Sequence, residues 1–395
     1  MLVPATGQDW PQWRGQNRDG AVLSFLEPTT WPEELVERWK IDVGLGYSTP
    51  ILIEESVYIF TRQGDDEVMR AIDADSGVLI WETSYPAIFD MNPGTARHGG
   101  GPKSTPVFDN GRLFTLGISG IVTAFDAKTG QRLWQQKPAS PVEPLYHTAM
   151  SPVVDGDFVI FHVGGHDDGV LSAFDVTTGE VKWKWTGDGP AYGSPVVVEL
   201  DGTRQIVLFT QEYLVGVEMA TGKLLWKRPF TTPYTTTSQT PIIYGDIVVE
   251  AGRANGITAF RAERLRDQEN WITEDLWHTD DVSMHMSNGV AIDNVLFGLS
   301  HLNSGQYFSL DLDTGSVLWK SDPRQAENAS ILRSGETIFV LENDAELVIV
   351  QNSRSGFEPL MRYDVATSET WTQPAISGKR FFVKDVSSLT LLTLE

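Results

Sequence analysis

One eleven-residue phrase recurs along this chain, and recurrence at a steady spacing forces a fold assembled from copies of one unit. Residues 71–81 read AIDADSGVLIW, 124–134 AFDAKTGQRLW, 173–183 AFDVTTGEVKW, 216–226 GVEMATGKLLW and 309–319 SLDLDTGSVLW. In each, Gly stands four residues before Trp. Residues 350–360, VQNSRSGFEPL, keep Gly356 and place Leu360 where the others carry Trp. A degenerate copy, AFRAERLRDQENWITEDLW, carries an insertion and ends at Trp277.

The phrase has a mechanism. An alternating strand ends in Asp-x-x-Thr/Ser-Gly, whose Asp and Thr bond nearby backbone N–H groups while Gly supplies positive φ, so the chain turns back as a hairpin. The Trp then sits on the second strand at fixed register and buries about 150–250 Å², several kcal/mol per copy. It reads as a wedge between neighbouring sheets. Upstream of each phrase lie two more alternating strands, as in STPILIEESVYIF (48–60), STPVFDNGRLFTL (104–116) and SPVVDGDFVIFHV (151–163). Four strands, A to D, therefore repeat with each anchor: Trp39, Trp81, Trp134, Trp183, Trp226, Trp277, Trp319 and Leu360. A four-stranded unit of forty-odd residues is a propeller blade. The last segment, 371–395, supplies A, B and C only, and the orphan strand ERWKIDV (37–43) near the N-terminus supplies the missing D. The expected fold is all-β: an eight-bladed propeller with four-stranded antiparallel blades, closed on its last blade by the N-terminal strand. Residues 1–36 form a lead-in strap and 37–395 the propeller.

Composition narrows the partners. Lys plus Arg is 30 against 53 Asp plus Glu, a net charge of −23, which excludes a nucleic-acid backbone as ligand. No apolar run reaches the roughly 18 residues that a membrane helix needs. The absence of cysteine removes disulfides, thiolate metal sites, covalently attached c-type haem and cysteine nucleophiles. It suits a bacterial protein of the periplasm or the secreted pool. The opening MLVPATGQDW has neither a charged nor an apolar signal region, and reads either as a mature N-terminus behind an added Met or as the start of a cytoplasmic protein that never had a signal peptide.

The repeat phrases resemble the PQQ-like repeat family, which includes the eight-bladed quinoprotein alcohol dehydrogenases and BamB, the outer-membrane assembly lipoprotein. The resemblance spans residues 9–395. The lead-in DWPQWRGQNRDG (9–20) resembles that of bacterial PQQ-binding-like propeller repeat proteins. Because the repeat is a packing device, it specifies fold far more than activity.

A site is expected on one end of the ring. The A–B and C–D connections are short, whereas the D–A and B–C connections on the other face are longer; 82–103, ETSYPAIFDMNPGTARHGGGPK, is the longest early one. Residues just before each strand A should ring the channel mouth: Tyr47, Lys103, Met150, Tyr192, Gln239, His285, Asn328 and Trp371. Arg97, His98, His147, Arg253 and His301 join them from the loops. This mixture of cationic, amide and aromatic groups suits a small polar, ring-shaped or anionic ligand, or a protein partner. The alternative is that long loops simply carry polar residues.

Other motifs fail on inspection. GGGPKS (99–104) has Pro102 between Gly and Lys and a strand behind it, so it is a turn rather than a phosphate loop. His162 and His166 lack a third ligand for a metal. Ser287 and Ser300, near His285 and His301, have no nucleophile elbow. Asn328-Ala-Ser is a glycosylation sequon by pattern only. WPQWR (10–14) reads as a strap packed across the propeller over apolar surface.

Three functions remain. The first is an extracytoplasmic, monomeric, BamB-like scaffold that binds a ligand or protein at a His-rich funnel. The second, implied by the quinoprotein side of the resemblance, is an oxidoreductase holding PQQ with Ca²⁺ and acting on an alcohol or sugar. Such enzymes need hard oxygen ligands, an Asp base and an aromatic platform. Their vicinal Cys-Cys is missing here, and their calcium ligands match no motif position. The third is a saccharide hydrolase or lyase.

Overall fold

The computed structural model describes residues 9–137, 143–265 and 270–394. Residues 1–8, the very start of the lead-in, and 266–269, inside the degenerate copy, lie outside them.

Eight four-stranded antiparallel sheets make up the protein. The first blade comprises Ile51–Ile53, Ser56–Gln63, Asp66–Asp73 and Leu79–Pro86, hydrogen-bonded in that order. Six more follow with the same A-to-D order. The eighth takes Ala375–Ser377, Arg380–Lys384 and Ser388–Thr393, and is completed by Val36–Asp42. Trp39 stands opposite Leu391 in that closing pair, so head and tail share one sheet. Only three short 3₁₀ turns interrupt the β-structure of the described residues.

The repeated phrase explains how blades hold together. Its first residue is small because it sits directly across from the Trp: Ala71 faces Trp81, Ala124 faces Trp134, Ala173 faces Trp183 and Gly216 faces Trp226. A one-residue bulge follows each pairing and increases the local twist. Each indole then reaches the next blade. The Trp39 indole N–H donates to Ala74 O at 3.0 Å, Trp81 to Ala127 O at 2.9 Å and Trp183 to Met219 O at 3.0 Å. The turn glycine lies beneath the ring. At Gly179, with φ +72°, a Cβ would come within 2.6 Å of Trp134, so both the backbone and the packing demand Gly.

Two blades depart from this pattern, and both departures follow from sequence. The fifth blade has no turn glycine in its degenerate copy, and Trp226 bonds inward to Gln205 Oε1 of its own blade at 2.7 Å. In the seventh blade the turn is two residues longer, one before Gly356 and one after it. Met361, not Leu360, takes the anchor position opposite Ile349; Leu360 is the bulge residue and is exposed. The expected anchor is thus corrected by one position.

The lead-in threads the ring's axis rather than lying across an outer surface. Trp10 pairs with Leu52 of the first blade, and the Trp13 indole donates to Thr240 Oγ1 beside the fifth. Arg14 reaches the carbonyl oxygens of Asn288 and Gly289, Arg18 those of Ser151 and Pro152, and Val22 N bonds Arg333 O. All these partners lie on or just before innermost strands. The segment therefore plugs the channel, with Arg14 and Arg18 both buried.

Candidate functional site on the loop face

The long D–A connections surround the mouth above this plug. The residues expected there fall into three groups, and most of them are bonded to one another. In the first, the short 3₁₀ turn Pro93–His98 projects Arg97 toward the opposite side of the ring. Arg97 pairs with Glu327 at 3.2 Å and Glu369 at 2.8 Å, and its guanidinium lies 5.4 Å from the Trp371 ring. His98 packs edge-on against Trp371 at 4.6 Å and lies 6.0 Å from Tyr47. The Trp371 indole donates to Glu369 at 2.9 Å. Burial, then the nearby Lys103 and Arg97 charges, hold His98 below the ordinary imidazole range.

The second group lies under the same long loop. Lys103 Nζ donates to Tyr146 O at 2.9 Å, and burial brings its pKa down to about 8. The Tyr192 hydroxyl accepts from Tyr146 N at 3.0 Å, and burial pushes it well above the ordinary phenol range. His147 is a buried clamp. Its Nδ1 bonds Glu143 at 2.6 Å, its Nε2 accepts from Asn92 N at 3.1 Å, and Phe89 packs edge-on at 5.0 Å. It ties the loop down and leaves no ring nitrogen free.

The third group is the least satisfied. His285 and His301 lie 6.0 Å apart. His301 Nδ1 bonds Ser283 O at 2.8 Å, but His285 Nε2 is buried with no partner among the described residues. Burial, followed by Arg253 and His301, lowers His285 to about 4, so its imidazole is neutral at physiological pH. Gln239 donates to His285 O at 2.6 Å and Ser287 O at 3.2 Å; it is buried and structural. Asn328 N donates to Asn343 Oδ1 at 3.0 Å and its carbonyl accepts from Asn343 N; it is also buried. Met150 belongs to the apolar core between blades.

Sequence reasoning missed the acids that complete the mouth. Glu327 and Glu369 come from other loops and have no spacing relation to Arg97, whereas Glu143 stands four residues before His147 in the same connection. It also missed two buried carboxyls, Glu67 and Glu342, on strands whose neighbours are apolar.

The fold family implies PQQ with Ca²⁺, and the residues here do not fit that pair. Among the described residues, no three His, Asp or Glu side chains converge as a metal cluster. Glu327 and Glu369 are committed to Arg97, and the Trp371 face that would serve as a stacking platform is shared by Arg97 and His98.

A ring of eight four-stranded sheets, clasped sheet to sheet by tryptophans and closed by pairing both ends of one chain, defines a β-propeller of the PQQ-type repeat class. The model for the family described as outer membrane protein assembly factor BamB matches residues 64–321, and the chain belongs to that family. The outer membrane protein assembly factor BamB of Bordetella pertussis is 24% identical over 349 residues, covering 86% of this chain and 81% of the relative. The quinohemoprotein alcohol dehydrogenase ADH-IIG of Pseudomonas putida is 28% identical over 157 residues, 37% of this chain; the match covers only 20% of that enzyme. Among solved structures, BamB from Moraxella catarrhalis superimposes with a TM-score of 0.63 at 14% identity, over 91% of this chain and 100% of that one, which shows the shared fold.

Proposed function

We propose that this chain is a non-catalytic extracytoplasmic scaffold that docks a protein partner on its loop face, as a BamB-like propeller. One observation carries this reading. Five of the eight inter-blade connections expose large apolar side chains on that face: Leu45, Ile88, Met91, Leu145, Tyr234 and Met286, with Ile88 at 80% and Tyr234 at 73% exposure. Apolar groups presented by loops on a rigid scaffold mark protein contact. The polar residues between them, Arg97, His98, Lys103, His147 and Trp371, are engaged with neighbours and shape a firm rim rather than a reactive pocket. The envelope location follows the relatives' printed role in outer membrane assembly and the lack of cysteine. Closure of the ring needs no second copy, which supports a monomeric docking unit.

The test places a photo-crosslinking residue at Ile88, at Tyr234 and, as a control, at Lys128 on a turn of the opposite face, in cells of the source organism. Discrete protein adducts are expected from 88 and 234 and not from 128. Equal labelling from all three would sink the docking face. Purified protein that bound PQQ with Ca²⁺ saturably and reduced a dye with an alcohol would replace the scaffold by the oxidoreductase.

A further inference from the structure

The channel end away from the long loops holds an unusual concentration of positive charge in an acidic protein. A cavity of about 370 Å³ lies there, between the lead-in and the innermost strands of the fourth to seventh blades. Three arginines line it: Arg14 and Arg18 from the lead-in, and Arg333 from the seventh blade. Two carboxylates, Asp19 and Asp293, line it as well. Formal charges leave an excess of one positive charge.

The arginines are poorly compensated. Arg14 and Arg18 are buried at 2% and 5% exposure, and among the described residues neither forms an ion pair. Their donors go to neutral acceptors, chiefly main-chain carbonyl oxygens. Arg333 reaches Asp19 only at 3.7 Å. The Nε donors of both Arg18 and Arg333 are buried with no acceptor among the described residues. Burying a cation without a counter-ion is costly, and an anion that accepts the free N–H groups recovers much of that cost. Burial, and then repulsion from Arg14, bring Arg18 down to about 9. The cavity also has apolar walls, Val197 and Ile243. Its volume is in the range of small-molecule sites.

We propose that this cavity binds a small organic monocarboxylate, its carboxylate held by Arg333 and its apolar body against Val197 and Ile243. A monoanion matches the single excess charge. A polyphosphate would meet the Asp19 and Asp293 carboxylates. Asp293, exposed at the rim, is placed to accept a hydroxyl from the ligand. This site is on the face opposite the proposed docking loops and does not depend on that reading.

Calorimetric titration of the full chain with benzoate and with 3-hydroxybutyrate tests it. Saturable one-to-one binding is expected. Arg333→Met should weaken it at least about tenfold, as loss of a charge-assisted hydrogen bond does. Arg333 tolerates this change better than Arg18, whose carbonyl bonds hold the lead-in; should Arg333→Met fail to fold, Arg333→Lys keeps the charge, loses the fork geometry and should still weaken binding. Asp293→Asn should weaken 3-hydroxybutyrate more than benzoate, and Arg132→Met on the outer rim should change neither. No saturation with either probe up to about 10 mM, equal affinity in the Arg333 variants, or inorganic phosphate binding as tightly as the carboxylates would overturn the assignment.

Discussion

Replacing Trp39 by Ala should weaken the closure of the ring more than any other single change at its surface. The side chain is 9% exposed, lies over Gly77 of the first blade and donates its indole N–H to Ala74 O at 3.0 Å. Truncating a buried Trp costs about 3–5 kcal/mol, and the stranded carbonyl of Ala74 adds to the upper end. With an unfolding entropy of about 2.1 cal/mol/K per residue, the chain's ΔS is about 0.8 kcal/mol/K, so a loss of about 4 kcal/mol lowers Tm by about 5 °C. The same truncation at Leu360, the exposed bulge residue of the seventh blade, should cost under about 0.5 kcal/mol and leave Tm nearly unmoved. Scanning calorimetry measures the pair. Hydrogen exchange adds a local readout: amides of Trp39's strand and of Ser388–Thr393 should open before those of the other blades. Equal melting shifts for the two variants, or uniform exchange across all eight sheets, would refute the clasp.

Gly179→Ala should cost about 3 kcal/mol by urea unfolding, against about 1 kcal/mol for Gly156→Ala. Both glycines have positive φ, but only at 179 would a Cβ meet an indole, that of Trp134 at 2.6 Å. Burial raises Glu67 from 4.5 to about 7, opposed by the Ile118 N–H, Tyr85 and Arg62 and reinforced by Glu143. A carboxyl whose folded pKa is raised stabilises the fold least when ionised, so stability should fall as pH rises from about 4.5 to about 7, by up to about 3 kcal/mol from this residue. Glu342 is raised to about 7 in the same way. Glu67→Gln should flatten part of that slope and stabilise the protein at pH 8; an unchanged slope in chemical denaturation would contradict the assignment.

The wall of this molecule was readable because each blade repeats the same requirement. A Gly four residues before a Trp makes a turn and seats the preceding blade's indole, so copies reveal blade number, strand order and closure. Where the requirement lapses, reading fails by small and explicable amounts. The longer turn after Gly356 moves the seventh anchor from Leu360 to Met361. The mouth was legible only as a set of loops. Arg97 and Glu327 meet although 230 residues separate them, and no local pattern encodes a pairing across the axis of a ring. Nor do Glu67 and Glu342 announce their burial, since a single acid in an alternating strand also fits a solvent-facing position.

The lead-in shows why the channel, unlike the wall, has to be argued from the structure. Eight blades leave a hole on the axis, and the inner strands around it carry main-chain groups that must find partners. The segment from Trp10 to Val22 has no periodicity, yet its Arg14 and Arg18 side chains are long enough to reach carbonyl oxygens on opposite inner strands, at Gly289 and Ser151. Arginine suits this task because five donors on one rigid fork can serve several carbonyls at once. The same choice strands positive charge on the axis, since carbonyl oxygens satisfy hydrogen bonds without neutralising a cation. A plug built this way divides the channel into two ends of different character. The loop end pairs Arg97 with Glu327 and Glu369 and presents apolar side chains outward. The other end keeps an unbalanced charge beside an open cavity. The proposed docking face and the proposed anion site therefore lie on opposite faces, and a substitution that abolishes binding at one should leave the other intact.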